Sequence, residues 1–272
     1  MLRKLLGIGA VSAIAFSIAV GQVSPQGVAF APSKVSQPLP FKAGETLSYE
    51  VSFSKLIFSG TIGELKLHVA KPREPSETAM LELTAEAVSK GFFPSLFGVK
   101  VHDRYTSMVN PSDFGLHAST KLLEQGKVRR EQKAVVDREA GRVTFFDRDL
   151  TTEKSEPKVK EKPSPSWTQD LLSTIYYVRT QPLKEGDVVA IPVSDGGEVY
   201  NIEVVAGKRE EVKTGLGKFK TVQLNAKVFD GRYIKRSGEM LVWVSDDETR
   251  IPLRAKVKTS GYTITAELKR LP

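Results

Sequence analysis

The chain carries three imidazoles, His68, His102 and His117, and no cysteine. Acid–base work near neutral pH and transition-metal ligation draw first on these two residue types. The spacing supports neither, because no HxH, HExxH or nucleophile-elbow pattern occurs. His68 falls on the polar face of an alternating segment, and His102 and Asp103, as neighbours on a strand, point to opposite faces. Asp170 and Ser173 stand one helical turn apart and can share a face. No base lies near them in sequence, so the pair reads as a helix cap or a helix-to-sheet hydrogen bond. Asp246-Asp247-Glu248 lacks the ligand spacing of a calcium loop and reads as a turn. Thr214-Gly215-Leu216-Gly217-Lys218 lacks the GKT or GKS of a phosphate loop and a helix after it, and reads as a hairpin turn. Arg179 is different: facing a sheet it must pair with a carboxylate, because an unpaired buried guanidinium is too costly. Asp170, Asp246 and Asp247 are candidate partners, and an ion pair is expected ahead of ligand capture. The sequence therefore predicts no catalytic residue, no metal ligand and no cofactor.

The elements that would position these groups are mostly strands. Leu47, Tyr49, Val51 and Phe53 alternate with Ser48, Glu50, Ser52 and Ser54. The same rhythm runs through Leu65–Val69, Val222–Val228, Leu253–Val257 and Tyr262–Leu268. Side chains on a strand alternate between faces, so each segment has one buried and one solvated face, as in antiparallel sheets. Further strands are expected near 78–89, 100–109, 115–124, 128–137, 142–149, 187–193, 198–206 and 237–245. Turn signals such as Asn110-Pro111-Ser112-Asp113, Asp195-Gly196-Gly197 and Asp230-Gly231 separate them. One segment breaks the rhythm. Ser166 and Gln169 have capping-box spacing, and Trp167, Leu171, Leu172, Ile175 and Val178 recur at helical spacing, which predicts a helix over 167–180. Residues 151–166 are charged, contain proline and lack periodicity, so they read as a long mobile loop. The fold class is all-β and mainly antiparallel: a strongly curved sheet, or an open or closed barrel-like domain, spanning 41–271 as one unit.

The start of the chain is a targeting pattern. Arg3 and Lys4 precede an uncharged apolar run, Leu5 to Ile18, and Ala19-Val20-Gly21 supplies small residues for a cut after Gly21. The run falls short of the roughly 20 residues that span a bilayer, so cleavage is expected over a retained anchor. Residues 22–40 read as a flexible lead-in. The net charge of +8 is dispersed among acidic residues. That pattern suits solubility or contact with an anionic membrane surface. It lacks the concentrated basic stripe of a nucleic-acid binder.

Three blocks carry a family resemblance. They are Pro40-Phe41-Lys42-Ala43-Gly44-Glu45-Thr46-Leu47-Ser48-Tyr49-Glu50-Val51; then Asp170-Leu171-Leu172-Ser173 with Tyr176, Arg179 and Pro182-Leu183-Lys184-Glu185-Gly186-Asp187; and then Trp243-Val244-Ser245-Asp246-Asp247 with Arg250 and Pro252. In order and spacing the chain resembles the bacterial envelope family catalogued as domain of unknown function 3108, from about Phe41 to Leu271. The resemblance implies a periplasmic β-rich protein and transfers no mechanism. The charged 151–166 stretch is its departure from the family core.

Groups placed to touch a ligand or a partner are Phe92, Phe93, Leu96, Phe97, Trp167, Tyr176, Arg179 and Trp243. Gly91-Phe92-Phe93-Pro94-Ser95-Leu96-Phe97-Gly98 is either an apolar plug in one end of the sheet or, if exposed, a contact patch. The expected function is a non-enzymatic exported envelope protein that binds an apolar or lipid-like ligand on the concave side of the sheet. A structural or protein-interaction module of the envelope is the alternative, and a hydrolase acting on envelope material comes last. Peripheral membrane contact fits either of the first two, and no nucleic-acid partner is expected.

Overall fold

The structure, a computed structural model, describes residues 35, 37–70, 80–91, 100–231, 233–235 and 237–272. The leader and Phe92, Phe93, Leu96 and Phe97 lie outside the described residues. The first run of strands is β1 (Thr46–Lys55), β2 (Phe58–Val69), β3 (Leu81–Ser89), β4 (His102–Val109), β5 (Leu116–Gln125), β6 (Val128–Asp137), β7 (Arg142–Asp149) and β8 (Lys158–Pro163). Helix α1 (Leu171–Arg179) follows. The second run is β9 (Val188–Asp195), β10 (Glu198–Thr214), β11 (Gly217–Ala226), β12 (Gly238–Ser245), β13 (Pro252–Thr259) and β14 (Thr263–Arg270).

The fourteen strands of the described residues form one sheet in the order β8-β7-β6-β5-β4-β3-β2-β1-β14-β13-β12-β11-β10-β9. Within each run every strand pairs antiparallel with its chain neighbour, and β14 pairs back onto β1, with Val51 opposite Ala266. That pairing fuses the two runs around one core, in which Leu47, Leu83, Leu116, Ile191, Leu224 and Leu268 are buried together. The sheet is open, with β8 and β9 as its two edges. Irregular register at Val51/Ser52, Met108/Val109 and Trp243/Val244 bends the strands, which is how an antiparallel sheet acquires curvature.

Two sequence expectations change. The helix begins at Leu171, after the N-cap Asp170, and ends at Arg179. The Ser173 N–H donates to Asp170 Oδ1 at 2.7 Å and the Asp170 N–H donates to Ser173 Oγ at 2.9 Å, so the capping box is Asp170/Ser173 in place of Ser166/Gln169. Gln169 is spent elsewhere: its backbone bridges Pro192 and Ser194 on β9, and its amide donates to the carbonyls of Phe114 and Trp167. The other change lies in 151–166, where β8 is a strand hydrogen-bonded along β7, with Val159 opposite Phe146. Its Lys-Val-Lys-Glu-Lys sequence lacks an apolar face because it is the edge of the sheet. There backbone pairing to one neighbour holds the strand, and charge guards the open side.

Helix α1 packs against β3, β4 and β9. Leu172, Ser173, Tyr176, Tyr177, Val178 and Arg179 are all buried, so the helix lies inside the curve of the sheet.

Candidate functional site

Where β8 approaches the β9–β10 turn, the sheet has a seam with a cleft beside it. Register places two rows of side chains on the concave face of β5 to β8. One row is Ser119, Ala134, Phe145 and Lys160, and the next is Lys121, Gln132, Asp147 and Lys158. The opposite wall is Ser194, Asp195, Gly196 and Gly197. Gly196 and Gly197 both have positive φ, 57° and 86°, the geometry of a two-residue hairpin turn in which glycine is unstrained. A side chain on Gly197 would also stand 3.3 Å from Lys160 Cδ, so the glycine lets β8 come close. The cleft between these walls measures about 190 Å³. Phe145 and the lysine stems give it carbon walls, and Ser119, Gln132, Asp147 and Ser194 give it polar atoms.

Ion pairs tie the seam. Lys160 and Lys162 both reach Glu198, and Lys121 is paired with Asp195. Asp195 also accepts from the Tyr233 hydroxyl at 3.0 Å. Burial, with Asp195 beside it, pushes the Tyr233 phenol well above its usual range, so it acts as a donor. Ser194 is 2% exposed and its hydroxyl has no hydrogen-bond partner among the described residues.

Behind the cleft the interior stays polar. Asp103 accepts from Gln125 at 2.6 Å, from the Glu124 N–H at 3.1 Å and from Tyr105 at 3.3 Å. Asp170 accepts from Ser107 Oγ at 2.5 Å in addition to its capping bond. Burial raises both carboxyls above the ordinary carboxylate value, and these hydrogen bonds offset part of that rise. The three imidazoles lie elsewhere: His68 with Thr46, His102 with Glu86 and His117 with Arg138. Among the described residues no three metal-ligating side chains converge. The arrangement can hold a ligand by carbon contact and hydrogen bonds.

The described residues singled out from sequence do not gather at this cleft. Tyr176 and Arg179 meet at the other end of α1, around Phe41 and Glu45. Arg179 pairs with Glu45, which was not among the three aspartates expected. Trp167 is buried beside Tyr177. Trp243 lies on the convex face, where its Nε1 donates to Glu210 at 2.7 Å and Lys256 covers its ring. Sequence reasoning missed Lys121, Ser194 and Asp195. A signal existed for Lys121, which sits in step with the apolar Leu123 on β5, but its partner is 74 residues away.

These features define a class, the open β-barrel-like proteins built from one curved antiparallel sheet with a helix inside. The family described as "Protein of unknown function (DUF3108)" matches residues 48–269, and the chain belongs to that family. A search of curated proteins gives no match. Among solved structures the chain is similar to a β-barrel-like protein of domain of unknown function DUF1849 from Brucella abortus, with 11% identity and a TM-score of 0.57. That likeness covers 85% of this chain and 97% of the other, and it shares the fold. Two more distant likenesses are to a Bacteroides fragilis protein described as exported with a YmcC-like fold (10% identity, TM-score 0.35, 86% and 98% covered) and to a Parabacteroides distasonis protein described as a lipoprotein (11% identity, TM-score 0.30, 86% and 97% covered).

Proposed function

We propose that this chain is a non-enzymatic, exported protein of the cell envelope that binds an apolar or lipid-like ligand at the cleft on the concave side of its sheet. The observation that carries this reading is the mixed lining of the cleft, with carbon surface from Phe145 and the lysine stems beside the polar residues Ser119, Gln132 and Ser194. A ligand's carbon chain would lie against Phe145 while its polar end met the side chains of Gln132 and Lys158. The cleft, at about 190 Å³, is smaller than the roughly 300–1,000 Å³ of a site that encloses a whole drug-sized ligand. It therefore takes one end of the ligand, and the remainder leaves through the seam. Export rests on the leader pattern of Arg3 to Gly21. A non-enzymatic role rests on the buried carboxylates, which are occupied by Lys121, Tyr233, Gln125 and Ser107. The test is native mass spectrometry of protein recovered from the envelope fraction. A bound species of defined mass is expected, and it is lost in Ala134→Phe, which fills the cleft. Repeated recovery of bare protein, with no uptake of added lipid, contradicts the reading.

One feature favours a protein-interaction module as the second reading. β8 is an exposed edge strand with a free hydrogen-bonding side, the geometry to which an extended partner segment adds. Crosslinking from β8 in cells would then trap one defined protein while ligand screens stay empty.

A further inference from the structure

Antiparallel order puts the β1–β2, β3–β4, β5–β6, β7–β8, β9–β10, β11–β12 and β13–β14 connections at one end of the sheet, opposite the connections that flank α1. At this end the β1–β2 hairpin turns through two residues, Leu56 and Ile57, between the paired Lys55 and Phe58. Leu56 is 93% exposed, Ile57 90% and Phe58 59%. Leu56 also has φ 52°. A two-residue hairpin with positive φ at its first central position strongly prefers glycine there, because a side chain is strained. Leucine at this position costs backbone energy and recovers none by burial. Glycine or asparagine would serve the fold better, so the apolar tip answers to something outside the fold.

The surrounding charge says what that is. Residues 54–59 and 258–263 contain no acid. Lys55 and the exposed Lys258 form no ion pair among the described residues, and Lys258 stands opposite Thr263, which stands opposite Ser54 at the base of the tip. That register sets the β13–β14 turn beside the β1–β2 tip as one rim, and the rings of Phe53 and Tyr262 stack between them at 5.8 Å. Apolar side chains at the tip with unpaired cations around them fit the boundary of an anionic bilayer, where the apolar groups enter the acyl region and the cations meet phosphates.

We propose that this rim is a membrane-docking surface, with Leu56, Ile57 and Phe58 inserted into anionic lipid. It stands apart from the ligand reading of the cleft. The chain has no cysteine, so Ile57→Cys and Leu216→Cys each give one attachment point for an environment-sensitive fluorophore. Leu216 lies on the β10–β11 turn at the opposite end. With vesicles of phosphatidylcholine containing about one-third phosphatidylglycerol, the label at 57 shifts to the blue and is shielded from an aqueous quencher, while the label at 216 does not change. Charge reversal by Lys55→Glu with Lys258→Glu lowers partition about tenfold or more, and Leu56→Asn with Ile57→Gly abolishes vesicle binding without lowering Tm. No shift at 57, equal shifts at both positions, or binding indifferent to lipid charge overturns the proposal. So does a tip that crosslinks to an envelope protein and never enters lipid.

Discussion

Arg179 and Glu45, 134 positions apart, form a two-pronged ion pair inside the sheet, with Nη1–Oε1 at 2.6 Å and Nη2–Oε2 at 3.0 Å. The guanidinium also donates to the carbonyls of Thr249 and Pro40 and stacks near the rings of Phe41 and Tyr176. One side chain thereby ties the end of α1 to the entry of β1 and to the β12–β13 turn. Arg250 adds a strut by donating to the Arg179 carbonyl at 2.8 Å.

Removing one member of this pair leaves a buried charge. Glu45→Ala is expected to cost about 3 kcal/mol or more, and Arg179→Lys to recover little, since a point charge cannot make the fork. Urea unfolding measures both.

A second buried pair, Lys121 with Asp195, can be tested by a cycle. Lys121→Met alone should destabilise by about 3 kcal/mol, because among the described residues Asp195 then keeps Tyr233 alone as a side-chain donor. Adding Asp195→Asn should restore most of that loss. Additive losses in the double variant would argue against a direct pair.

The pH behaviour of Asp170 has a definite sign. Its folded value is raised above the ordinary 3.8 by burial, against the pull of Ser107 and Ser173. Between the unfolded and folded values the native state holds the extra proton, so this group's contribution falls as pH rises through that window. Asp170→Asn keeps a cap acceptor and cannot ionise. Its stability relative to the unmodified protein should therefore climb as pH rises above about 4, read from urea midpoints. A flat or falling difference would contradict the burial argument.

Gly63 marks the bend in β2. A methyl there would stand 2.7 Å from the Val88 carbonyl oxygen, so Gly63→Ala should cost about 1–3 kcal/mol. Thermal unfolding checks it.

The strands were legible wherever one face is apolar: Leu47, Tyr49 and Val51 point inward, as do Ile264, Ala266 and Leu268. The Asp170–Ser173 cap and its bond to the sheet were also readable, since both partners lie one turn apart. β8 was not readable, because an edge strand with charge on both faces has no rhythm to detect. The first half of β2, with Leu56 to Phe58 in the turn and start of the strand, escaped for the opposite reason. Leu56, Ile57 and Phe58 face water. The cleft was out of reach because its walls, Lys121 and Asp195, meet only after the sheet has curled through all the strands between its two edges.

The central claim is ligand capture at the seam, and the most direct measurement is titration of the unmodified protein and Ala134→Phe with a fluorescent fatty acid. Saturable one-to-one binding that weakens at least about tenfold when the cleft is filled, with Tm unchanged, is the predicted result. Absence of saturable binding, or equal affinity in the two proteins, would contradict it.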